Sequence, residues 1–402
     1  MNEVNSDSYN SQEIGLAKAL VQIHPGCHVD IVLLSIGCKG DMSSKDILPG
    51  ITLHVVKARG IGHHGIIAPQ IISSFNPELV HILADNMLFA PNIIRYCKKN
   101  NINYHLYIGT LFTDNKKWYR QMLDRLMMSR NIRAYRKSRV YVKTPFVQKQ
   151  CKELGIDAKV VPVGLNQEDT ILSAADIAAV RKKYNLPQDK KILLFVGRLE
   201  EYKHPLETVE VLQLLKSYSK SDLNNLSSVH IISDRNNTSD ARAGMDEKET
   251  SDGWSDNTAP DDFILLIIGD GSLQEKIRTR ALELELTDKI IHIPQIPNSE
   301  MPDIYKACDF YINFNPDEIY GMAILEAMCH KCPVFAMRAP GPEFLIDDGK
   351  TGFLCDSVDE MAEKIITCVE DTQMSGRISK SAREKVLSSL IWTETARLFD
   401  DI

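Results

Sequence analysis

Two carboxylates, Glu318 and Glu326, lie eight residues apart where a predicted strand gives way to a helix. An apolar run at 310–312 is followed by a polar loop, by Gly321 and by strong helix formers. Backbone N–H groups at such a helix start carry partial positive charge and bind phosphate. A helical interval would separate the carboxylates by roughly 12 Å, too far for a hydrolytic acid–base pair. The spacing suits two contacts to one extended ligand; two acidic residues on a solvated helix face fit it equally well.

A glycine and two cations follow an earlier apolar strand. Arg198 and Lys203 come one and six residues after Gly197. Arginine binds phosphate with two parallel hydrogen bonds, and lysine adds a point charge. The stretch from Gly269 to Gly271 also follows an apolar strand, as a tight turn. These features predict an anion site, although an ordinary surface loop and a plain strand–helix turn would look the same.

Apolar runs typical of strands alternate with amphipathic stretches along the chain. This alternation predicts parallel βαβ units and two doubly wound α/β domains, 1–165 and 166–385, that face a cleft. A polar insertion is predicted at about 219–260, with a further strand at 229–232. The predicted strands are 29–36, 52–57, 79–84, 103–108, 139–143, 158–163, 191–197, 263–268, 289–293, 309–313 and 333–337. The predicted helices are 12–23, 67–74, 90–99, 116–137, 146–154, 174–184, 205–217, 273–286, 299–307, 320–330 and 342–347.

Composition limits the class of protein. The 402 residues are 44% hydrophobic and 25% charged, with a net charge of −7, which argues against a protein devoted to nucleic acid. No apolar run reaches the roughly 18 residues of a membrane span, and the N-terminus lacks a signal-peptide pattern. Nine scattered cysteines fit a reduced cytosolic compartment. The pair Cys329 and Cys332 is expected to be packed in the core.

A basic stretch bears on partners. Residues 116–139 hold nine Lys or Arg against one acid, with aromatic and apolar residues interleaved. A basic amphipathic helix of this kind can lie on an anionic membrane surface. A helix packed on the sheet with a solvated basic face is the equal alternative. We therefore expect a cytoplasmic protein that is either free or peripheral to the membrane.

The order of the motifs carries a resemblance. Four motifs follow one another along the chain. They are Gly-Arg-Leu with a later Lys at 197–203, Ile-Ile-Gly-Asp-Gly at 267–271, Glu-x7-Glu-Ala-Met at 318–328 and Asp-Gly-x-Thr-Gly-Phe-Leu at 348–354. This series resembles retaining glycosyltransferases of family four (glycosyl transferases group one). The resemblance implies the GT-B fold and a nucleotide-diphosphate sugar donor. It also implies a C-terminal helix, 386–402, that contains Trp392 and returns to the first domain.

The resemblance also implies residue roles. Arg198 and Lys203 match cations that hold the diphosphate and stabilise its leaving charge. Glu326 matches the carboxylate that binds the ribose hydroxyls, and Glu318 the one that holds the donor sugar. With two cations and a helix start supplied, we expect no metal and no cofactor. The expected catalytic residues are Glu318, Arg198 and Lys203. The other expected donor contacts are Gly197, Gly269, Gln295, Ile296, Tyr320, Gly321, Met322 and Glu326.

The first half departs from the family pattern. The glycine-rich loop expected near the start is replaced by 7–12, and a histidine expected near position 109 is replaced by Gly109. Asp85, His81 and Tyr9 are the candidate acceptor-side groups, while His105 falls in mid-strand and is expected in the core.

We expect transfer of a hexose-type sugar from a UDP- or GDP-sugar to a glycan or lipid-linked acceptor, in surface polysaccharide assembly. Two rival functions remain. A nucleotide-sugar epimerase on the same architecture would isomerise the donor without any acceptor. A non-catalytic partner subunit would bind the donor without turnover.

Overall fold

The computed structural model describes residues 12–35, 41–61, 64–85, 87, 89–111, 128–166, 168–217 and 263–399. The predicted insertion at 219–260, with its strand at 229–232, lies outside these residues, as do Tyr9 and the first half of the basic stretch at 116–139. Within the described ranges, no helix is both long enough and apolar enough to cross a membrane.

The described residues of the first half form nine strands in three sheets. A three-stranded sheet has the order β1-β3-β2, β4 pairs with β5, and β6 to β9 form a four-stranded parallel sheet in chain order. The strands are β1 (Val29–Ser35), β2 (Met42–Leu48), β3 (Ile51–Lys57), β4 (Arg59–Ile61), β5 (His64–Ile66), β6 (Leu79–Leu83), β7 (Asn103–Ile108), β8 (Val140–Val142) and β9 (Lys159–Val160). The helices are Gln12–Ile23, Ile71–Ser74, Ala90–Lys99 and Pro145–Glu153, and residues 128–135 are also helical.

In the part of the second half that the structure describes, one parallel sheet has six strands. Its order is β12-β11-β10-β13-β14-β15. Strands β11 and β12 are added on one side of the central strand β10, and β13 to β15 on the other, so the strand order reverses beside β10. The strands are β10 (Lys191–Val196), β11 (Phe263–Ile268), β12 (Ile290–Ile293), β13 (Phe310–Asn313), β14 (Val334–Met337) and β15 (Phe353–Cys355). The helices are Ile177–Lys183, Glu207–Ser217, Gln274–Glu283, Met301–Ala307, Met322–Cys329, Pro340–Leu345, Val358–Glu370, Thr372–Ser389 and Trp392–Ala396. Ligands in such sheets bind at the carboxyl ends of the strands where the order reverses.

Burial explains why this sheet forms. All six residues of β11 are buried, and alternate residues of β10 and β11 enter two separate hydrophobic clusters. Both faces of the sheet are therefore covered, which is the environment that parallel sheets require. Cys329 and Cys332 lie in one of these clusters as free thiols, in agreement with their predicted packing role.

The first half differs from the predicted run of parallel strands. β2 was not predicted; it pairs antiparallel with β3 after the Pro49-Gly50 turn, and all but one of its residues are exposed. The β4–β5 hairpin was also missed, and the helix predicted at 67–74 contains only Ile71–Ser74. These differences share a cause, because short or exposed elements have no apolar periodicity to reveal them.

The chain crosses between the two halves twice. The strands of the first half end at Val160 and the six-stranded sheet begins at Lys191, so the predicted boundary at 165–166 falls in the connecting segment. There Leu165 forms a parallel bridge with Ile391, and the Trp392 N–H donates to the Leu165 carbonyl at 2.8 Å. The two crossings are therefore hydrogen-bonded to each other.

The C-terminal segment was predicted as one helix over 386–402, which is wrong. Helix Thr372–Ser389 belongs to the second half, residues 390–391 pass the crossing, and a short helix follows at Trp392–Ala396. The bridge between Leu165 and Ile391 requires extended backbone, and this interrupts the helix. Beyond it, Phe399 packs among aromatic rings of the first half.

Candidate active site

The loops after β10 and β11 are fastened together. The Leu199 N–H donates to the Asp270 carbonyl at 2.9 Å, and the Leu273 N–H donates back to the Leu199 carbonyl at 2.9 Å. The Glu200 carboxylate accepts from both the N–H and the hydroxyl of Ser272. These contacts lock both loops at the carboxyl edge of the sheet, where Gly197 and Arg198 emerge.

Gly269 is required by this packing. Its φ is +146°, and a Cβ placed there would lie 1.8 Å from the Gly197 carbonyl oxygen. A Cβ on Gly197, by contrast, would meet nothing closer than the Phe195 ring at 3.6 Å. The structure thus gives Gly269 a supporting role between two loops and leaves open space beside Gly197.

The two predicted cations share one aromatic neighbour. The Arg198 guanidinium lies 5.5 Å from the centre of the Tyr202 ring, and the Lys203 ammonium lies 5.6 Å from it. Arg198 is exposed to solvent, whereas the Lys203 side chain is 23% exposed. A cation at this distance from a tyrosine face is attracted by the ring, so Tyr202 helps to hold both charges at the edge of the sheet.

Lys203 and Glu318 are brought together from opposite sides of the strand-order reversal. The Lys203 Nζ lies 2.5 Å from Glu318 Oε2, and Asn315 donates to the same oxygen at 3.1 Å. The Glu318 side chain is only 14% exposed. Asn315 is itself buried and accepts from the Asp317 N–H at 3.1 Å, which shapes the loop. Glu318 is therefore held in place by a cation and an amide.

Gly321 begins the helix that follows. It adopts a left-handed conformation with φ +98° at the N-cap of helix Met322–Cys329. The Gly341 N–H donates to the Glu318 carbonyl at 2.7 Å, and a Cβ on Gly341 would lie 2.4 Å from the Tyr320 carbonyl oxygen. The loop after β14 therefore packs directly on the loop that carries Glu318. Met322, at the first helical position, is half-buried.

Tyr320 points away from solvent. It is 4% exposed, and its hydroxyl donates to the Val163 carbonyl in the segment that links the two halves. Burial raises the pKa of the Tyr320 phenol, so it stays a neutral donor. The structure gives Tyr320 an anchoring position for the loop rather than an open surface for a ligand.

Glu326 is a buried carboxylate. It is 6% exposed, and the Tyr305 hydroxyl donates to its Oε2 at 2.8 Å. The alternative interpretation, that Glu326 lies on a solvated helix face, is therefore wrong. A buried carboxylate needs hydrogen-bonded partners, and Tyr305 supplies one.

The segment after β12 contributes an edge of the same region. Gln295 is exposed, whereas Ile296 is 5% exposed and belongs to the core. The Gly269 N–H donates to the Ile293 carbonyl at 3.1 Å, and the His292 ring lies 2.7 Å from the Gly269 carbonyl. Gln295 therefore follows a strand end that is joined to the Gly269 turn.

The first half contributes Asp85 and a residue that sequence reasoning missed, Lys143. Both the Gly109 and the Thr110 N–H groups donate to Asp85 Oδ1, the latter at 3.1 Å. Burial raises the pKa of Asp85, while these N–H groups and the Lys143 ammonium oppose the shift. Burial lowers the pKa of Lys143, against the attraction of the Asp85 and Glu318 carboxylates. Lys143 therefore lies within electrostatic reach of acids on both halves of the chain.

His81 joins a different group. Its Nδ1 lies 2.5 Å from Nε2 of His105, which is fully buried as predicted, and Phe399 stacks on the His105 ring at 5.2 Å. His81 therefore lies with the C-terminal segment rather than with the partners of Asp85. Tyr9 lies outside the described residues. Within those residues, no cluster of three or more His, Cys, Asp or Glu side chains could hold a metal ion.

Comparison with known families bears out the resemblance in the second half. Residues 255–385 match the family described as Glycosyl transferases group 1. The structure is also similar to that of HepE from Anabaena in complex with UDP and glucose, with a TM-score of 0.67 at 15% identity, covering 96% of this chain and 94% of that one. Residues 255–385 are therefore similar to the group 1 glycosyltransferases, and the whole chain has the GT-B fold.

Curated relatives match in part. A D-inositol 3-phosphate glycosyltransferase of Acidothermus cellulolyticus is 28% identical over 206 residues, covering 50% of this chain and 37% of that protein. An alpha-monoglucosyldiacylglycerol synthase of Streptococcus pneumoniae is 32% identical over 102 residues, covering 25% of this chain and 23% of its own length. The matched regions thus span less than half of either relative.

Proposed function

We propose that this chain is a retaining glycosyltransferase. It moves a hexose-type sugar from UDP or GDP to a glycan or lipid-linked acceptor, in the assembly of a surface polysaccharide. The family match and the GT-B fold support the reaction class. The similar structure that holds UDP and glucose favours a uridine donor, and the similarity to a glycolipid synthase favours a lipid-linked acceptor.

The pairing of Lys203 with Glu318 is the observation that carries the proposal. Two loops that are 115 residues apart in sequence meet at the strand-order reversal and place a cation against a carboxylate, 2.5 Å apart. Arg198 lies beside the same Tyr202 ring and is exposed to an incoming ligand. One donor would bridge these groups, with its diphosphate on the cations and its sugar against Glu318.

The cations have a chemical task in this reaction. The bond between the anomeric carbon and the diphosphate oxygen breaks, so negative charge grows on the diphosphate. Arg198 and Lys203 stabilise that charge in the transition state, together with the N–H groups at the start of helix Met322–Cys329. The acceptor oxygen bonds to the anomeric carbon on the face that the diphosphate leaves, and the acceptor hydroxyl proton passes to the diphosphate. Because these groups supply positive charge, the proposal needs no metal.

Glu326 is assigned to the ribose. Its carboxylate, held by the Tyr305 hydroxyl, would accept hydrogen bonds from the ribose hydroxyls of the donor. Hydrogen bonds to a charged acceptor contribute about 1.5–3 kcal/mol each. This contact is made equally in the bound substrate and in the transition state, so we expect it to set affinity rather than turnover.

The experiment measures binding and turnover separately. Isothermal titration of the full chain with UDP, GDP and ADP identifies the nucleotide. Release of the nucleoside diphosphate from matching sugar donors, with lipid-linked acceptors, measures transfer. Arg198→Ala should weaken nucleotide binding and reduce transfer, whereas Arg377→Ala, an exposed arginine on helix Thr372–Ser389, should change neither.

The outcomes also separate the rival functions. The proposal would be refuted if the chain bound none of the nucleoside diphosphates and Arg198→Ala were as active as the wild type. Isomerised donor without acceptor would indicate an epimerase. Donor binding without turnover on a wide acceptor panel would indicate a partner subunit.

A further inference from the structure

Three neighbouring strands of the first half end at the same level. In the parallel register Leu83 lies opposite Tyr107, and Ile108 lies opposite Val142. Extending this register by one or two residues places Asp85, Gly109 and Lys143 side by side at the carboxyl edge of β6, β7 and β8. The central position of the three has no side chain.

The neighbours of Gly109 occupy the space that its side chain would take. A Cβ built on Gly109 would lie 2.6 Å from Asp85 Oδ2 and 2.9 Å from Lys143 Nζ. A hydrogen-bond acceptor and an ammonium donor therefore converge on one point. A larger residue at position 109 would have to displace both.

Asp85 is fixed while one of its oxygens faces this point. Oδ1 takes the two backbone N–H groups of Gly109 and Thr110, and Oδ2 is the oxygen directed at the converging space. A carboxylate fixed in this way can receive a hydroxyl without reorganising, which is the condition for precise positioning.

The charges around the space discriminate between acceptors. Once the donor diphosphate occupies Arg198 and Lys203, the charged partners that the described residues offer to the Lys143 ammonium are the carboxylates of Asp85 and Glu318. Two negative charges against one positive charge disfavour a phosphate or carboxylate on the incoming molecule. Two adjacent hydroxyls fit well, because one can donate to Oδ2 while the other accepts from Nζ.

We propose that Asp85 and Lys143 form a positioning pair for an uncharged polyol acceptor, such as the terminal sugar of a neutral glycan, at the strand edge beside Gly109. This inference rests on the proposed function and identifies the acceptor side of the same cleft. The pair adds no chemical step. It orients one acceptor hydroxyl toward the anomeric carbon of a sugar held at Glu318.

The test compares acceptor and donor parameters in matched variants. The probes are neutral p-nitrophenyl glycosides, and glycosyl phosphates and uronates serve as their anionic counterparts. Lys143→Met should raise the KM for a neutral glycoside at least tenfold, with the Kd for UDP changed less than twofold. Lys143→Arg should restore part of the loss, which a purely structural role would not predict.

Gly109→Ala is the second variant, because its methyl group enters the converging space itself. It should raise the acceptor KM in the same way, with UDP affinity retained as evidence of folding. Saturation-transfer NMR of the wild-type chain with UDP measures acceptor binding without any turnover. Neutral glycosides should bind more tightly than the glycosyl phosphates.

The outcomes are distinguishable from failure of the proposed function. If the wild-type chain binds no nucleoside diphosphate, the proposed function fails. If it binds UDP but no neutral glycoside, or binds the anionic probes better, the positioning pair is wrong while the function stands. An unchanged acceptor KM in both Lys143→Met and Gly109→Ala would overturn the pair as well.

Discussion

Glu318→Gln should tighten the binding of free UDP while it reduces sugar transfer. In the structure the Lys203 ammonium is engaged by Glu318 Oε2 at 2.5 Å. The proposed function requires Lys203 to bind the donor diphosphate, so UDP has to compete with this carboxylate. Glutamine keeps the shape and can still accept from Asn315, but it removes the competing charge.

The burial of the pair sets the size of the effect. The Lys203 and Glu318 side chains are 23% and 14% exposed. A surface ion pair contributes about 0–1 kcal/mol, and disruption of a buried pair costs about 3–5 kcal/mol. The energy of this pair should lie between these two cases. We therefore expect a gain of about 1–2 kcal/mol, which is roughly 5- to 30-fold in the Kd for UDP. Because the pair is partly exposed, the gain should shrink at high salt.

The assay is titration calorimetry with UDP on four proteins: wild type, Glu318→Gln, Lys203→Met and the double variant. Lys203→Met should weaken UDP binding, and Glu318→Gln should give no gain once Lys203 is absent. Glu360→Gln is the control, because Glu360 forms a partly exposed pair with Lys364 at 2.8 Å on helix Val358–Glu370. UDP affinity that is unchanged or lower in Glu318→Gln would refute the competition, and unaltered transfer would remove Glu318 from the chemistry.

Three further predictions follow from the described contacts. Gly269→Ala should destabilise the fold by more than about 1 kcal/mol, since its Cβ meets backbone at 1.8 Å, whereas Gly197→Ala should leave the melting temperature unchanged and weaken UDP binding. Tyr305→Phe should weaken UDP binding about tenfold and leave kcat unchanged, because Glu326 loses a hydrogen bond of about 1.5–3 kcal/mol that holds its carboxylate. An unchanged Kd for UDP would exclude a role of Glu326 in ribose binding. Burial is the main cause that lowers the pKa of His330 to about 4. The unfolded chain therefore binds a proton here at higher pH than the folded chain, and the free energy of unfolding should fall by on the order of 3 kcal/mol as pH drops from about 6.5 toward 4. His330→Gln should flatten this pH dependence in thermal melts.

The second half could be predicted almost element by element. The strand predicted at 191–197 is Lys191–Val196, and the one at 263–268 is Phe263–Ile268. These strands are buried on both faces, so they are continuous apolar runs bounded by glycine or polar residues. Strand β15 and the two helices at Val358–Glu370 and Thr372–Ser389 were not predicted.

The proposed acceptor side was harder to predict, because its geometry depends on the register between strands. Lys143 looks like an ordinary polar residue after a strand, and only the alignment of β6, β7 and β8 places it beside Asp85. Gly109 gave a usable signal, since the resemblance implies a histidine near this position and a glycine leaves room for its neighbours. Sequence alone could not show which neighbours occupy that space.

The motifs of the second half combine two kinds of residue, and burial separates them. Gly269 and Tyr320 face other parts of the protein, whereas Gly197 and Arg198 remain open to a ligand. A motif match alone therefore does not tell which of its side chains are open to a ligand. Those that pack internally still act on the site, because they fix the loops that carry the exposed residues.

The anchoring of Tyr320 links the donor loop to the connection between the domains. Its hydroxyl bonds the Val163 carbonyl, two residues before the bridge between Leu165 and Ile391. A domain rotation that preserves these hydrogen bonds has to pivot at this crossing, and Glu318 lies two residues from Tyr320, beside the pivot. Closure would then move the outer edges of the cleft most and leave the region between Glu318 and Lys143 nearly constant. The reacting groups would stay in register while the cleft opens for donor entry and product release.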